Sequence, residues 1–208
     1  MTDIMEYFQI ILKPEETMQR IVKKPDMKAA DQAFLIYGGI IGLIFGVVVA
    51  LFASIVSAIA SVAGEGVVAL IAGLGFLAII IFPIVFAIVS LVGSKISYWI
   101  FYKVTALLGG KGTYDQNFWL GSQLIWPILF AQIIVWILGF VPLIGFLISI
   151  IWAFYTIYLF VVLLSVANKV SKLRALAAWI LTVVLLIVVV IILAMVLASV
   201  IFAGVAYN

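Results

Sequence analysis

Long apolar runs separated by short polar segments make up most of this 208-residue chain. After a polar opening, the apolar runs cover about residues 33–63, 67–108, 118–140, 143–167 and 175–206. Each is long enough for the ~20 residues that a helix needs to cross a ~30 Å hydrocarbon core. A membrane β-barrel would show short alternating segments instead. The pattern therefore predicts an all-α, polytopic membrane protein with five transmembrane helices, the last of them facing lipid over much of its surface.

Residues 1–32 are predicted to form a polar N-terminal segment ahead of a membrane domain at 33–208. A short amphipathic helix is indicated by apolar residues at helical spacing, namely Ile4, Tyr7, Phe8, Ile11 and Leu12. No pattern of a cleavable signal peptide opens the chain. Two interpretations of this segment stay open. It lies in the membrane interface as an amphipathic foot, or it packs on the protein's own cytosolic face.

Proline and acidic residues mark where the next two helices begin. Pro14 suits the first turn of a second helix, with Glu15 and Glu16 favourably placed near its positive end. Pro25 ends that helix, and Asp26 can cap the one that follows.

Small residues recur every fourth position in the first apolar run. They are Gly38, Gly42, Gly46, Ala50, Ser54 and Ala58. Because residues i and i+4 share a helix face, this stripe allows another backbone to approach closely. The partner is either a helix of the same chain or, in a homo-oligomer, a second copy.

The second apolar run is too long for a simple membrane crossing. Roughly forty residues extend over roughly 60 Å as a helix, about twice the hydrocarbon core. Pro83 is the predicted kink. Aromatic residues and lysines mark residues 92–108 as an extension at or beyond the headgroups. Lys95 is interpreted as snorkelling toward that interface, with a buried functional cation as the alternative.

A polar link, GGKGTYDQNFWLGSQLIWP at residues 109–127, separates the two halves of the chain. Its glycines are predicted to break the helix, and Thr113 or Asp115 to cap the next one. Pro127 is predicted to kink the third span. Together with Pro127, the residues Gln123, Gln132 and Tyr155 could line a transport path. The alternative for the two glutamines is hydrogen bonding between helices.

The positions of the eleven basic residues predict the orientation. They all fall before the first span, between the second and third, or between the fourth and fifth. Under the positive-inside rule, the N-terminus is then cytosolic and the C-terminus outside. The expected location is the cell membrane of a prokaryote.

The composition excludes several kinds of chemistry. The chain has no cysteine and no histidine, so thiol catalysis, disulfides and histidine-based metal or acid–base sites are excluded. Beyond residue 32 the only acids are Glu65 and Asp115, which the predicted topology places on opposite sides. We therefore expect no enzyme activity, no cofactor, no metal and no nucleic-acid binding.

Two segments resemble the Yip family of small polytopic membrane proteins, and prokaryotic members in particular. They are FQIILKPEETMQRIVKKP and the polar link. The resemblance covers essentially the whole chain and implies a five-span scaffold without enzymatic activity. The resemblance also implies a possible partner site, which consists of Tyr114, Asp115, Phe118, Gly121 and Pro127. The Asp-Leu-Tyr-Gly-Pro segment of eukaryotic members is absent, so binding of a Rab-type GTPase is not expected.

The resemblance and the residues together predict a non-enzymatic membrane scaffold or adaptor, with the bilayer and a protein at the cytosolic face as partners. The alternative is a small transporter or channel-like subunit. A scaffold would use the polar link, whereas a transporter would use the glutamines of the third span.

Overall fold

The computed structural model describes residues 4–59 and 65–206. Within this part of the chain it contains helices and no strand. The helices are α1 (Ile4–Leu12), α2 (Pro14–Ile21), α3 (Met27–Ile59), α4 (Glu65–Leu107), α5 (Tyr114–Leu138), α6 (Pro142–Asn168) and α7 (Lys172–Ala206). Helices α3 to α7 are each long and apolar enough to span a membrane. The predicted all-α, five-span membrane protein is therefore confirmed.

Capping residues, and not the edges of the apolar runs, determine where the helices begin. Helix α2 begins at Pro14, as predicted. Helix α3 begins at Met27, several residues before the apolar run, because the Asp26 carboxylate accepts a hydrogen bond from the Ala29 amide at 3.0 Å. Helix α7 likewise begins at Lys172, ahead of its apolar run.

Helix α4 is a single element of 43 residues that continues through Pro83. It includes all but the last residue of the extension predicted at residues 92–108. At 1.5 Å per residue the helix is roughly 64 Å long, so it projects well beyond a hydrocarbon core. The helix begins at Glu65.

The glycines of α3 press directly on the backbone of α4 in an antiparallel pair. A Cβ at Gly42 would clash with the Phe82 carbonyl oxygen, and one at Gly46 would lie 2.7 Å from the Ala78 carbonyl oxygen. Gly38 meets α4 further along, at Phe86. The stripe therefore packs against a helix of the same chain.

The C-terminal members of the stripe turn away from the contact between α3 and α4, which we call the seam. Ser54 is exposed and bonds its own helix at the Ala50 carbonyl oxygen, while Ser57 is buried in its place. Four-residue steps advance about 40° beyond a full turn of a 3.6-residue helix, so later members rotate away from α4. The stripe of small residues is therefore longer than the contact that α3 makes with α4.

The bundle is densely packed at one end and open along the rest. We call the packed end, where segments 22–26, 108–113 and 169–171 meet, the basic end. Its core is formed by side chains with at most 1% exposure, among them Phe118, Leu120, Leu124, Leu159, Val162 and Leu163. Beyond it, exposed apolar side chains form a belt that runs on α6 from Leu143 to Tyr158, or roughly 23 Å. The belt covers most of the ~30 Å thickness of a hydrocarbon core.

Glycine-to-alanine substitutions on α3 test the seam. Gly42→Ala is expected to lower the free energy of unfolding by about 1–3 kcal/mol, because its methyl group overpacks against the α4 backbone. Gly39→Ala is the matched control, since a Cβ there would lie 4.0 Å from the nearest atom, the Pro83 carbonyl oxygen. Thermal unfolding in detergent measures both. Equal unfolding temperatures would count against a tight seam.

Candidate functional site

The link between α4 and α5 is a close-packed turn against the end of α6. Gly109 has a φ of 90°, a conformation that residues with side chains rarely adopt. A Cβ at Gly112 would clash with the Ala167 carbonyl oxygen. The Lys111 amide donates a hydrogen bond to the Asn168 carbonyl oxygen at 2.8 Å. The glycines are thus required because the link touches the α6 backbone.

A capping box joins the link to α5. The Thr113 hydroxyl accepts a hydrogen bond from the Gln116 amide at 3.3 Å, and the Gln116 side-chain oxygen accepts one from the Thr113 amide at 3.1 Å. Of the two predicted caps, Thr113 is therefore the one used. Asp115 lies in the first turn, where its negative charge faces the positive end of the helix dipole.

Two fully buried asparagines join α5 to α6 beneath the link. The Asn117 amide nitrogen donates to the Asn168 side-chain oxygen at 3.0 Å, and the Asn168 amide nitrogen donates back at 2.8 Å. Each nitrogen also bonds a carbonyl of its own chain segment, that of Thr113 and that of Leu164. All four amide N–H donors and both side-chain oxygens of this pair are engaged, so it is a satisfied buried polar pair.

An aromatic cluster lies next to this amide pair. Phe118 is fully buried, with its ring centre 4.9 Å from that of Phe34, 5.7 Å from that of Tyr114 and 6.1 Å from that of Tyr98. A Cβ at Gly121 would overlap the Tyr98 ring. Gly121 therefore makes room for Tyr98, which joins α4 to α5.

An ion pair lies next to the aromatic cluster and joins α4 to α3. The Lys95 ammonium lies 3.0 and 3.1 Å from the two carboxylate oxygens of Asp31, with both side chains half-buried. It also lies 5.9 Å from the centre of the Phe118 ring, within cation–π range. The sequence offered snorkelling or a buried functional cation for Lys95. The structure instead gives it a carboxylate partner on α3.

Helices α1 and α2 are attached to the membrane domain by specific bonds. The Trp119 indole donates to the Ile21 carbonyl oxygen at 3.2 Å, and the Tyr155 hydroxyl donates to the Ile11 carbonyl oxygen. The Lys172 ammonium lies 2.6 Å from the Glu15 carboxylate. Ile10 on α1 is almost fully buried. The N-terminal segment thus packs on the protein itself.

Part of the apolar face predicted for α1 nevertheless points away from this contact, while the side chains of Ile4 and Tyr7 lie outside the described residues. Phe8 and Leu12 are 55% and 78% exposed, whereas Ile10, which was not part of that face, is buried. Helix α1 therefore has two sides of different character. One side packs on the bundle, and the other carries apolar side chains outward.

The exposed surface of the basic end carries two leucines among charged residues. Leu107 is 87% exposed and Leu173 is 77% exposed, although both lie outside the apolar belt. The chain segments that carry them adjoin, because a Cβ at Gly109 would lie 3.3 Å from the Arg174 guanidinium. We call this surface the basic face, and it comprises Leu107, Lys111, Asp115, Leu173 and Arg174.

The five residues that the family resemblance marked do not share one surface. Phe118, Gly121 and Pro127 are buried. Tyr114 is half-buried against Phe118. Asp115 is exposed, so it is the member of this set that a partner could contact freely. The others position the link and the aromatic cluster.

The polar residues proposed to line a transport path are engaged in bonds. The Gln132 side-chain oxygen accepts from the Trp152 indole at 3.1 Å, joining α5 to α6. The Gln123 amide donates to the Ser122 hydroxyl at 3.3 Å. Tyr155 bonds α1, as described above. Interhelical bonding thus accounts for Gln132.

Sequence reasoning missed Asn117 and Asn168. Asn168 was placed in a loop, and Asn117 was part of a polar link with no assigned partner. The signal was present, because each asparagine lies at the polar end of its span and α5 and α6 are consecutive. Their reciprocal bonding, however, depends on how the two helices turn toward each other.

In the described part of the chain, no group of three or more acidic residues could hold a metal ion, and the sequence has no histidine or cysteine. Comparisons with protein-family models, with curated proteins and with solved structures find no match for this chain.

A double-mutant cycle tests the asparagine pair. Asn117→Leu or Asn168→Leu alone should lower the free energy of unfolding by about 1–3 kcal/mol, because each leaves the other amide buried without its partner. The double variant should lose less than the sum of the two, since no orphaned amide remains. Asp115→Asn, an exposed change in the same helix turn, is the control. Strict additivity in detergent unfolding would argue against a coupled pair.

Proposed function

We propose that this chain is a non-enzymatic integral membrane scaffold or adaptor that presents its basic face to a protein partner, as its resemblance to the Yip family implies. The observation that carries the proposal is the solidly packed basic end. Its interior is filled by fully buried side chains, while its outer surface exposes leucines and charges in fixed positions.

A fixed surface of this kind supports partner binding. Apolar side chains surrounded by charges are the usual arrangement of a protein interface, with a central anchor and a polar rim. Leu107 and Leu173 lie away from the apolar belt, so lipid contact does not account for their exposure. Asp115 and Arg174 supply charges of both signs, which favour one partner orientation over others.

We place the basic end in the cytosol, with the C-terminus outside, because all basic residues gather at that end. The positive-inside rule is the physical basis for this orientation. The resemblance to prokaryotic Yip members supports the cell membrane of a prokaryote as the location, and in this orientation the basic face is accessible to cytosolic proteins.

One observation favours the transport alternative. A cavity of about 630 Å³ lies between α3, α4, α5 and α6, and its lining includes Ser94, Gln132 and Thr156. None of the described residues that line it is charged. A carrier coupled to protons or sodium ions usually places an ionisable group there. Tyr98 and Leu124 also line the cavity on the side of the packed end. The scaffold is therefore the better supported function.

Cysteine labelling tests the orientation, since the chain has no native cysteine. Phe140→Cys, in the exposed turn between α5 and α6, is expected to react with a membrane-impermeant maleimide added to intact cells. Ser171→Cys is expected to react only after the cells are opened. Both side chains are exposed, so the difference reports sidedness alone. Gly112 is unsuitable because a side chain there clashes with α6. Labelling of Ser171→Cys from outside would reverse the assignment.

Photo-cross-linking in cells tests the scaffold. A photoreactive amino acid at Leu107, Asp115 or Leu173 is expected to give discrete protein adducts, because these side chains lie on the basic face. The same amino acid at Phe140, which is 87% exposed in the opposite turn, is the control. Asp115→Asn should weaken the adducts at Leu173, whereas Gln132→Leu should leave them unchanged.

Two results would count against this function. Equal adducts at both ends of the bundle would show that the basic face is not selective. If Gln132→Leu abolished the activity of the protein in cells while the amounts of protein and of adducts stayed the same, the transporter would be favoured instead.

A further inference from the structure

Two cavities of opposite character meet at α1. A polar cleft of about 1090 Å³ lies between α1, α2 and the ends of α5 and α6. An apolar groove of about 670 Å³ lies between α1 and the middle of α5. Leu12 lines both, so the two cavities adjoin at that residue.

The polar cleft favours an anion. Among the described residues, four basic side chains line it, namely Lys13, Arg20, Lys23 and Lys169, against two acidic ones, Glu15 and Glu16. Glu15 is already neutralised by its ion pair with Lys172. Arg20 on α2 donates a hydrogen bond to the Gln9 side chain of α1 at 3.2 Å. The three lysines alone outnumber Glu16, and they come from separate chain segments on two sides of the cleft.

The groove favours a hydrocarbon chain. All the described residues that line it are apolar, including Phe8, Leu12, Trp126, Phe130 and Ile134. Pro127 at its floor has no backbone N–H, so it adds no unsatisfied donor to this wall. Phe8 and Leu12 belong to the exposed face of α1, and no side chain of the described residues covers them fully.

The pair of cavities lies at the edge of the apolar belt. Tyr155, whose hydroxyl bonds the Ile11 carbonyl, is next to Tyr158, where the belt on α6 ends. Helix α1 is thereby held at the level where headgroups meet acyl chains. The polar cleft is on the basic side of α1, and the groove is on the belt side.

From this arrangement we infer that the protein binds one anionic phospholipid, with its phosphate in the polar cleft and an acyl chain in the apolar groove. A free phosphate would use the cleft alone and leave the groove uncovered. The amphipathic ligand that fits both is a lipid, and the surplus of basic groups selects a negatively charged headgroup. This inference is independent of the proposed scaffold function.

Binding to the purified full-length protein in detergent tests it. The probes are dioleoyl phosphatidylglycerol, dioleoyl phosphatidylcholine and the water-soluble headgroup glycerophosphoglycerol, each measured by native mass spectrometry and by titration. Phosphatidylglycerol is expected to bind with one-to-one stoichiometry. Phosphatidylcholine lacks the net charge and glycerophosphoglycerol lacks the acyl chains, so both are expected to bind much more weakly.

Matched variants separate the two cavities. Lys13→Gln with Lys169→Gln should weaken phosphatidylglycerol roughly 30-fold, the order expected for two basic groups near an anionic lipid. Lys28→Gln with Lys111→Gln removes the same charge from exposed positions that line neither cavity, and should change binding little. Ala131→Phe, which fills the groove, should also weaken binding, whereas Ala153→Phe on the exposed side of α6 should not.

A second measurement needs no charge variant. Phosphatidylglycerol with brominated acyl chains should quench tryptophan fluorescence more than brominated phosphatidylcholine, and Trp126→Phe should remove that difference. Equal quenching by the two lipids would overturn the inference. So would equal affinity for both lipids, equal affinity for the free headgroup, or an equal loss of binding in the Lys28 and Lys111 control.

Discussion

The reciprocal hydrogen bonds between Asn117 and Asn168 are the interaction on which the basic end depends. Two buried amides are costly unless both are satisfied, and here each one satisfies the other. Satisfying them requires one relative position of α5 and α6. That position brings the end of α6 against the link, where glycines at 110 and 112 permit contact. The link in turn sets the start of α5, and with it the place of Phe118.

The contrast between the packed end and the open belt has a simple physical origin. In a bilayer, apolar side chains gain nothing by turning inward, because lipid is as apolar as leucine. Close packing there needs small residues, and α3 and α4 meet through glycines. At the basic end water and headgroups are the alternative surroundings, so apolar side chains are driven into a core. The protein combines both modes of packing along the same helices.

Helix α1 connects these two regions. Its inner side is bonded to Tyr155 and buries Ile10 in the packed end, while its outer side extends the apolar belt through Phe8 and Leu12. A lipid bound beside α1 would lie on the outside of the bundle, between the membrane surface and the basic face. The scaffold and lipid proposals therefore concern neighbouring parts of one surface and remain separately testable.

The sequence alone determined the number of spans, the helical class, several caps and the gathering of basic residues at one end. These are local properties: hydropathy over twenty residues decides a crossing, and Pro14, Asp26 or Thr113 acts within a turn of its helix. The tertiary structure decided what each polar residue contacts. Lys95 pairs with Asp31, which is 64 positions away, and Tyr155 bonds Ile11, which is 144 positions away. The four-residue spacing identified the α3 glycines. It did not give the position where the contact between α3 and α4 ends, because that position depends on how the two helices cross. Such contacts arise only when distant segments are brought together, which no local pattern specifies.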